Sequence, residues 1–396
     1  MRAFLSERAC QLKPSATLAI SAKERELKSR GIDVVGFGAG EPDFPTPPHI
    51  REAAKRSLDR GETFYTPVGG TPDLKRAIIH RFAEDYGLEY KPEDILVSCG
   101  AKHCLYNLFQ AVVGPGDEVL IPSPYWVSYP EMVALAGGVP VIVPSTEANG
   151  FVPDPEEVES LITGSTKALL INSPSNPTGA VYPRTFLEKL AAIAEKHDLL
   201  VISDEIYDKL LYDGLEFTPF AALPDMKSRT VTVNGVSKSY AMTGLRIGYL
   251  ACPRTEVVKA ATDIQSQSTS NPSNPAQAAA VEALTGPQDE VFRMRAIFQR
   301  RRDVMMNEIA GIEGLSATTP RGAFYVFLNT SRYCGANGSI TNSADFAGYL
   351  LDRHYVACVP GGPFGSDDHI RLSFATSEEV ILKGLARIRT TCQELA

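Results

Sequence analysis

Between residues 95 and 235, this chain of 396 residues alternates short, continuously apolar runs with stretches of helical periodicity. The runs fall at 95–98, 118–122, 168–172, 199–203 and 230–234, and helices are expected over 101–113, 128–136 and 183–197. A strand that is apolar on both sides must be covered on both faces, and intervening helices are the crossovers that parallel pairing needs. The expected fold class is therefore α/β, with a mainly parallel sheet between helical layers. The two ends read differently. A helix is expected over 18–30, followed by a Gly/Pro-rich loop, and near the other end a long basic helix over 290–309 precedes strands at 323–327 and 369–373. These segments predict a small α+β domain assembled from both termini. The expected division is residues 1–45 as an N-terminal arm and part of the small domain, 46–290 as the large domain, and 291–396 as the small C-terminal domain.

Charge narrows the partners. The chain has 39 basic and 47 acidic residues, a net of −8, which argues against nucleic acid or an anionic membrane surface. No apolar run is long enough to span a bilayer, and the N-terminus lacks the layout of a secretory signal. The seven cysteines are scattered, odd in number and without a CxxC pair, as expected of reduced thiols in a cytoplasmic protein. The six histidines show no ligand spacing, so no metal is expected.

The chemistry concentrates after the strand at 230–234. Lys238 follows that strand, and an ammonium beside a buried strand is costly unless something neutralises it. Condensation with an aldehyde is one solution. Arg246, flanked by Gly244 and Gly248, is suited to hold a phosphate in a fork of donors. An amine trap beside a phosphate grip points to pyridoxal 5′-phosphate, an aldehyde carrying its own phosphate. A surface loop with two basic residues is the plainer alternative.

Other segments fit the same ligand, each with a plainer reading. Gly100, Ala101 and Lys102 leave a strand and open a helix, where free amides bind anions; a simple turn would use the same residues. Trp126, the only tryptophan, can stack on a planar ring or serve the core. Asn176 lies in a dense turn at a strand end, where ligands of open α/β sheets sit, although turn chemistry alone accounts for it. Asp204 can keep a ring nitrogen protonated and Tyr207 can bond a ring oxygen, or Asp204 can simply cap a helix. Gly40, in the loop from Gly38 to Phe44, leaves bare backbone for a ligand or serves as a hinge. Arg371 interrupts an apolar strand, where it would need a substrate carboxylate or a buried ion pair.

Taken together these segments resemble the class I aminotransferases, the fold-type I pyridoxal-phosphate enzymes, and most closely the bacterial subgroup Ib aspartate aminotransferases. The resemblance runs from Lys13-Pro14-Ser15-Ala16-Thr17 to Arg371-Leu372-Ser373-Phe374-Ala375-Thr376, and is carried by Ala39-Gly40-Glu41-Pro42-Asp43-Phe44, Ser123 through Pro130, Asn176 through Tyr182, Ser203 through Tyr207 and Ala241 through Gly244. It implies a seven-stranded, mainly parallel sheet in the large domain.

The resemblance also implies roles. Lys238 binds the cofactor and shuttles the proton at the substrate Cα. Asp204 pairs with the ring nitrogen, Tyr207 and Asn176 with the ring oxygen, and Trp126 stacks. Arg246 and the amides around Gly100, Ala101 and Lys102 hold the phosphate, with Ser237 as a further contact. Many relatives carry a hydroxyl residue where this chain has Gly235. Tyr65 reaches the phosphate of the other subunit of a homodimer. Arg371 grips the substrate α-carboxylate, near Asn176, Trp126 and Gly40, while Lys102 meets a distal carboxylate and Lys13 and Thr17 serve prephenate. The last two also read as a solvated charge and a helix cap. The implied reaction is ping-pong exchange between an amino acid, aspartate or glutamate, and a 2-oxo acid. A broad or alanine/aromatic aminotransferase, a fold-type I lyase and a non-catalytic regulator are the alternatives. Ser123–Pro124 and Asn176–Pro177 are expected to be cis.

Overall fold

A computed structural model describes residues 4–12, 14, 16–335 and 340–395. A two-residue strand, β1 (Val35–Gly36), precedes the main sheet. The sheet's seven strands are β2 (Ile95–Ser98), β3 (Glu118–Pro122), β4 (Val139–Val143), β5 (Thr166–Asn172), β6 (Leu200–Asp204), β7 (Thr230–Gly235) and β8 (Gly248–Ala251). After them come β9 (Tyr325–Asn329), β10 (Val356–Ala357), β11 (Val359–Pro360) and β12 (His369–Ser373).

The seven strands lie in the order β2-β8-β7-β6-β5-β3-β4. All the pairings are parallel except those of β8, which runs antiparallel to both β2 and β7. Alternate residues of β5 show why the strands are apolar throughout. Ala168 and Leu170 pack under the helices Ala101–Val112 and Thr255–Ser266, whereas Leu169 and Ile171 pack under the helix Arg184–Lys196. Each buried Leu or Ile contributes roughly 1.5–3 kcal/mol by leaving water. The helix Pro72–Tyr86 shows the local logic of the ends: Thr71 caps its first turn by accepting from Leu74 N at 3.3 Å, and Gly87 stops it at φ 65°.

The segments from the two termini do meet. β1 pairs parallel with β10, Val35 opposite Val356. β11, β12 and β9 form an antiparallel sheet packed with the helices Asp289–Ala310, Ser343–His354 and Glu378–Leu395. The strand expected at 323–327 begins two residues later, because Ala323 turns into the left-handed region at φ 55°, with its carbonyl accepting from the Tyr212 hydroxyl. The first long helix is Ala16–Ser29, slightly earlier than expected. Thr17 is thus inside the helix rather than at its cap. Two-pronged ion pairs tie the long basic helix to the rest: Arg301 to Asp43 at 2.7 and 3.0 Å, and Arg302 to Asp213 at 2.7 and 2.8 Å.

Candidate active site

The sheet brings its chemistry to one edge. β5, β6 and β7 end side by side at Asn172, Asp204 and Gly235, and β3 ends beyond β5. Because β8 is reversed, it begins at this same edge, with Gly248 opposite both Ser98 of β2 and Gly235 of β7. The loops that leave these ends enclose a cavity of about 560 Å³. Three X–Pro bonds there are cis, the two expected at Ser123–Pro124 and Asn176–Pro177 and a third at Ser173–Pro174.

Lys238 lines the cavity, three residues beyond β7. Its Nζ donates to Gly40 O at 2.5 Å. Desolvation brings this amine down to about 8, against the pull of Glu41 and with the help of the cations Arg371 and Arg246. Asp204 is the last residue of β6, and burial pushes its carboxyl up to about 6. The Tyr129 hydroxyl opposes that rise by donating to Asp204 Oδ2 at 2.7 Å, and Ile206 N adds a contact to Oδ1 at 3.3 Å. No α-helix starts at Asp204, so the capping alternative is not realised. Tyr207, also in the wall, lies with its hydroxyl oxygen 2.9 Å from that of Tyr325.

An anion cradle forms beside them. Arg246 adopts φ 57° and is braced by Thr243 O at 2.8 Å and Cys99 O at 3.2 Å. The amides of Ala101 and Lys102 open the helix that follows, where no carbonyl of its own can reach them. Two glycines make the closeness possible. A Cβ on Gly100 would stand 2.2 Å from the Arg246 guanidinium, and one on Gly248 would stand 2.1 Å from Ala101 N. Ser237 is buried in the same wall. Gly235 faces Gly248 across the antiparallel pair, and its Cβ would meet Gly248 Cα and Ile247 O at 3.0 Å, so a larger residue there would have to push the strands apart.

Arg371 also lines the cavity. It is 1% exposed, and its guanidinium donates to Asn176 Oδ1 at 3.0 Å and Gly38 O at 2.9 Å. Among the described residues no carboxylate pairs with it, and its Nε has no partner. The buried ion pair that was the alternative is therefore absent among these residues, and a guanidinium buried in this way is an invitation to an anion. Asn176 is held in turn by Asn172, whose Oδ1 accepts from Asn176 N at 2.9 Å and whose Nδ2 reaches Asp204 O at 3.0 Å. The Lys102 ammonium stands over the Trp126 ring, 4.7 Å from its centroid, where desolvation and then Arg246 lower its pKa.

Thr17 and Gly40 also line the cavity. Lys13 lies outside the described residues. Tyr65 does not line this cavity; it is 92% exposed beside Phe64, which is 79% exposed. The lining residues with no role assigned from the sequence include Tyr129, Tyr325 and Glu41, whose carboxylate accepts from the Thr243 hydroxyl at 2.8 Å. The one available signal was position: Tyr129 lies three residues past Trp126, and Glu41 is inside the glycine loop.

Over residues 32–388 the chain matches the aminotransferase class I and II family. It is 49% identical to the aspartate aminotransferase of Geobacillus stearothermophilus over 385 residues, covering 97% of this chain and 98% of that one. It is 48% identical to the aspartate/prephenate aminotransferase of Cereibacter sphaeroides, with 100% of both chains covered. The solved structure of Thermus thermophilus aspartate aminotransferase with maleate matches at a TM-score of 0.93 and 48% identity, covering 98% of this chain and 100% of that one. In sequence along nearly its whole length and in its mainly parallel seven-stranded sheet, the chain belongs to the class I and II aminotransferases, with the fold-type I architecture.

Proposed function

We propose that this protein is a pyridoxal-phosphate-dependent aspartate aminotransferase that also accepts glutamate as donor, works by ping-pong exchange with a 2-oxo acid, and takes prephenate as a further acceptor. The observation that carries the reading is the company of Lys238: an amine brought down to about 8, lining one cavity with an arginine–amide cradle and a buried carboxylate. The relatives' names, aspartate and aspartate/prephenate aminotransferase, support the substrate class.

The residues present fit the cofactor. The cradle that a Cβ on Gly100 or Gly248 would obstruct suits a phosphate held by Arg246, the amides of Ala101 and Lys102, and Ser237. Asp204, costly to ionise where it is, suits a ring cation. Tyr207 and Asn176 would meet the ring oxygen, and Trp126 would cover a ring face. When bound, pyridoxal phosphate supplies an aldehyde that captures amino groups and a protonated ring that draws electrons from the substrate Cα.

The chain's own residues do the rest. Arg371 binds the α-carboxylate in a fork, and Asn176 Oδ1 fixes the plane of that fork from behind. Lys238, as a free amine near its own pKa, takes the proton from the substrate Cα and later returns one. Lys102, over the indole and at the cavity wall, meets the distal carboxylate of a dicarboxylic substrate. Thr17, from the helix Ala16–Ser29, lines the same cavity, and Lys13 is assigned with it to the prephenate acceptor.

A donor and acceptor screen tests this. In the wild type, aspartate and glutamate should outrun alanine and phenylalanine in kcat/KM, and arogenate should form from prephenate. Lys102→Ala should cost the dicarboxylates on the order of 30-fold, the worth of a lost desolvated charge pairing of about 2 kcal/mol, and the monocarboxylates little. An equal fall for all four donors would hand Lys102 to the cofactor alone. Alanine as best donor would overturn the substrate class.

Assembly is part of the proposal: a cytoplasmic homodimer, divided within each chain at about residues 45 and 290, with Tyr65 supplied across the interface to the partner's phosphate. The two exposed aromatics on one loop, whose base is held by Gln277 bonding Thr66 Oγ1 at 3.0 Å, support it. Sedimentation should give a dimer, and Tyr65→Phe should weaken cofactor binding several-fold, about the worth of one hydrogen bond. An active monomer at high dilution is the result that would sink it.

A further inference from the structure

Two phenols meet in the cavity wall, and only one of them has been given a task. The hydroxyl oxygens of Tyr207 and Tyr325 are 2.9 Å apart, and both rings are buried. Tyr325 comes from β9, two residues before Phe327, the residue paired with Arg371 of β12. Residues so placed are diagonal neighbours on one face of an antiparallel pair. The Arg371 guanidinium accordingly stands 4.4 Å from the centroid of the Tyr325 ring. On its other side the Tyr325 hydroxyl approaches the glycine loop, where a Cβ on Gly40 would come within 3.2 Å of it.

A phenol has one proton to give and lone pairs to accept with. Between two phenols, therefore, one donates and the other accepts. If Tyr207 donated to Tyr325, only lone pairs of Tyr207 would face the cavity, and they would repel an anionic ring oxygen. If Tyr325 donates, Tyr207 keeps its proton for the cavity. Burial raises both phenols above the ordinary range, so both stay protonated. Arg371 opposes the rise at both phenols. Either hydroxyl can donate within the pair, but the Arg371 cation 4.4 Å from the Tyr325 ring centroid makes that phenol a stronger donor, and only donation from Tyr325 leaves Tyr207 a proton for the cavity.

We propose that Tyr325 is a positioning residue that donates its proton to the Tyr207 oxygen and so commits the Tyr207 proton to the ring oxygen of the cofactor. The proposal rests on the pyridoxal phosphate reading above. It gives the Arg371 wall and the ring-oxygen contact a shared part, one residue that touches both.

The test is a titration of the holoenzyme without substrate, followed by the visible absorbance of the bound cofactor. Weaker donation to the ring oxygen destabilises its anionic form, so the midpoint should move to higher pH. For Tyr325→Phe the expected move is about half a unit to one unit, the worth of one net hydrogen bond. Tyr207→Phe should move the midpoint up as well, and adding Tyr325→Phe to it should then change nothing measurable, because the second hydroxyl acts only through the first. Placing 3-fluorotyrosine at position 325 keeps the ring and hydroxyl but makes a stronger donor, and should move the midpoint down. This keeps the test open should the Phe variant bind cofactor poorly. An unmoved midpoint in the position-325 variants, or shifts of the two Phe changes that add in full, overturns the proposal. Absence of a visible band in the wild type would instead end the cofactor reading itself, a separate outcome from a band whose midpoint stays put.

Discussion

Replacing Lys238 by alanine is expected to lower turnover by on the order of 10⁴-fold or more, because on the proposed reading it removes both the covalent anchor and the proton carrier. Cofactor should still bind. Arg246, braced by Thr243 O and Cys99 O, and the helix amides at Ala101 and Lys102 do not depend on the lysine. The variant should therefore retain cofactor through gel filtration but release it intact on denaturation, with no mass adduct after borohydride treatment. The wild-type apoenzyme offers a companion measurement. With the amine at about 8, its neutral, reactive form grows as pH rises toward that value and levels off above it. The rate of aldehyde capture should follow that curve and vanish in the variant. Substantial transamination by purified Lys238→Ala would remove Lys238 from its role.

Asp204→Asn should separate stability from activity. The carboxyl of Asp204 is raised from its ordinary 3.8 to about 6 by burial. An acid raised on folding binds its proton more tightly in the folded chain, so its contribution to stability declines as pH rises through that window and stays low above it. The neutral amide does not incur that loss. The apoenzyme variant should accordingly melt no lower than wild type near neutral pH, provided the amide oxygen keeps the Tyr129 bond. Catalysis should move the other way, with kcat falling roughly 10²–10³-fold, since a preorganised charge facing a developing charge is lost. A protonated ring nitrogen opposite Asp204 would pull the carboxyl back down in the holoenzyme, so the wild type should lose activity only well below pH 6. Thermal melts of both apoenzymes and kcat for the loaded ones decide the matter. Unchanged kcat would show that Asp204 does not serve the ring.

Much of this could be read in the chain because the main strands are apolar on both faces and end in polar residues. β5 and β6 close with Asn172 and Asp204, and such a switch from apolar to polar marks a sheet edge. What could not be read depends on long-range pairing. β8 is four residues that begin with glycine, and its reversal is set by partners in β2 and β7, not by its own pattern. β4 carries Pro140 in an edge strand exposed to solvent, and so lacks the continuous apolar signal. Tyr129 reaches Asp204 across 75 positions of sequence, and Tyr207 reaches Tyr325 across 118. No local spacing announces such contacts. Arg371 was legible as an anomaly, a cation inside an apolar strand, but the Asn176 and Gly38 contacts that orient it were not.

The reversed strand also bears on how this protein comes to be folded. Arg246 and Cys99, which build one cradle, are separated by 147 positions, and their meeting depends on β8 sliding between β2 and β7. A chain with only part of the sheet assembled has the basic residue and the helix amides but not the place where they converge. A phosphate-bearing ligand held there, as proposed, would recognise the completed sheet alone and draw the population toward it by mass action, by about 2.7 kcal/mol when its concentration is a hundredfold above its dissociation constant. On the pyridoxal phosphate reading proposed above, cofactor supply would thereby help to set how long each molecule survives in the cell, quite apart from the reaction.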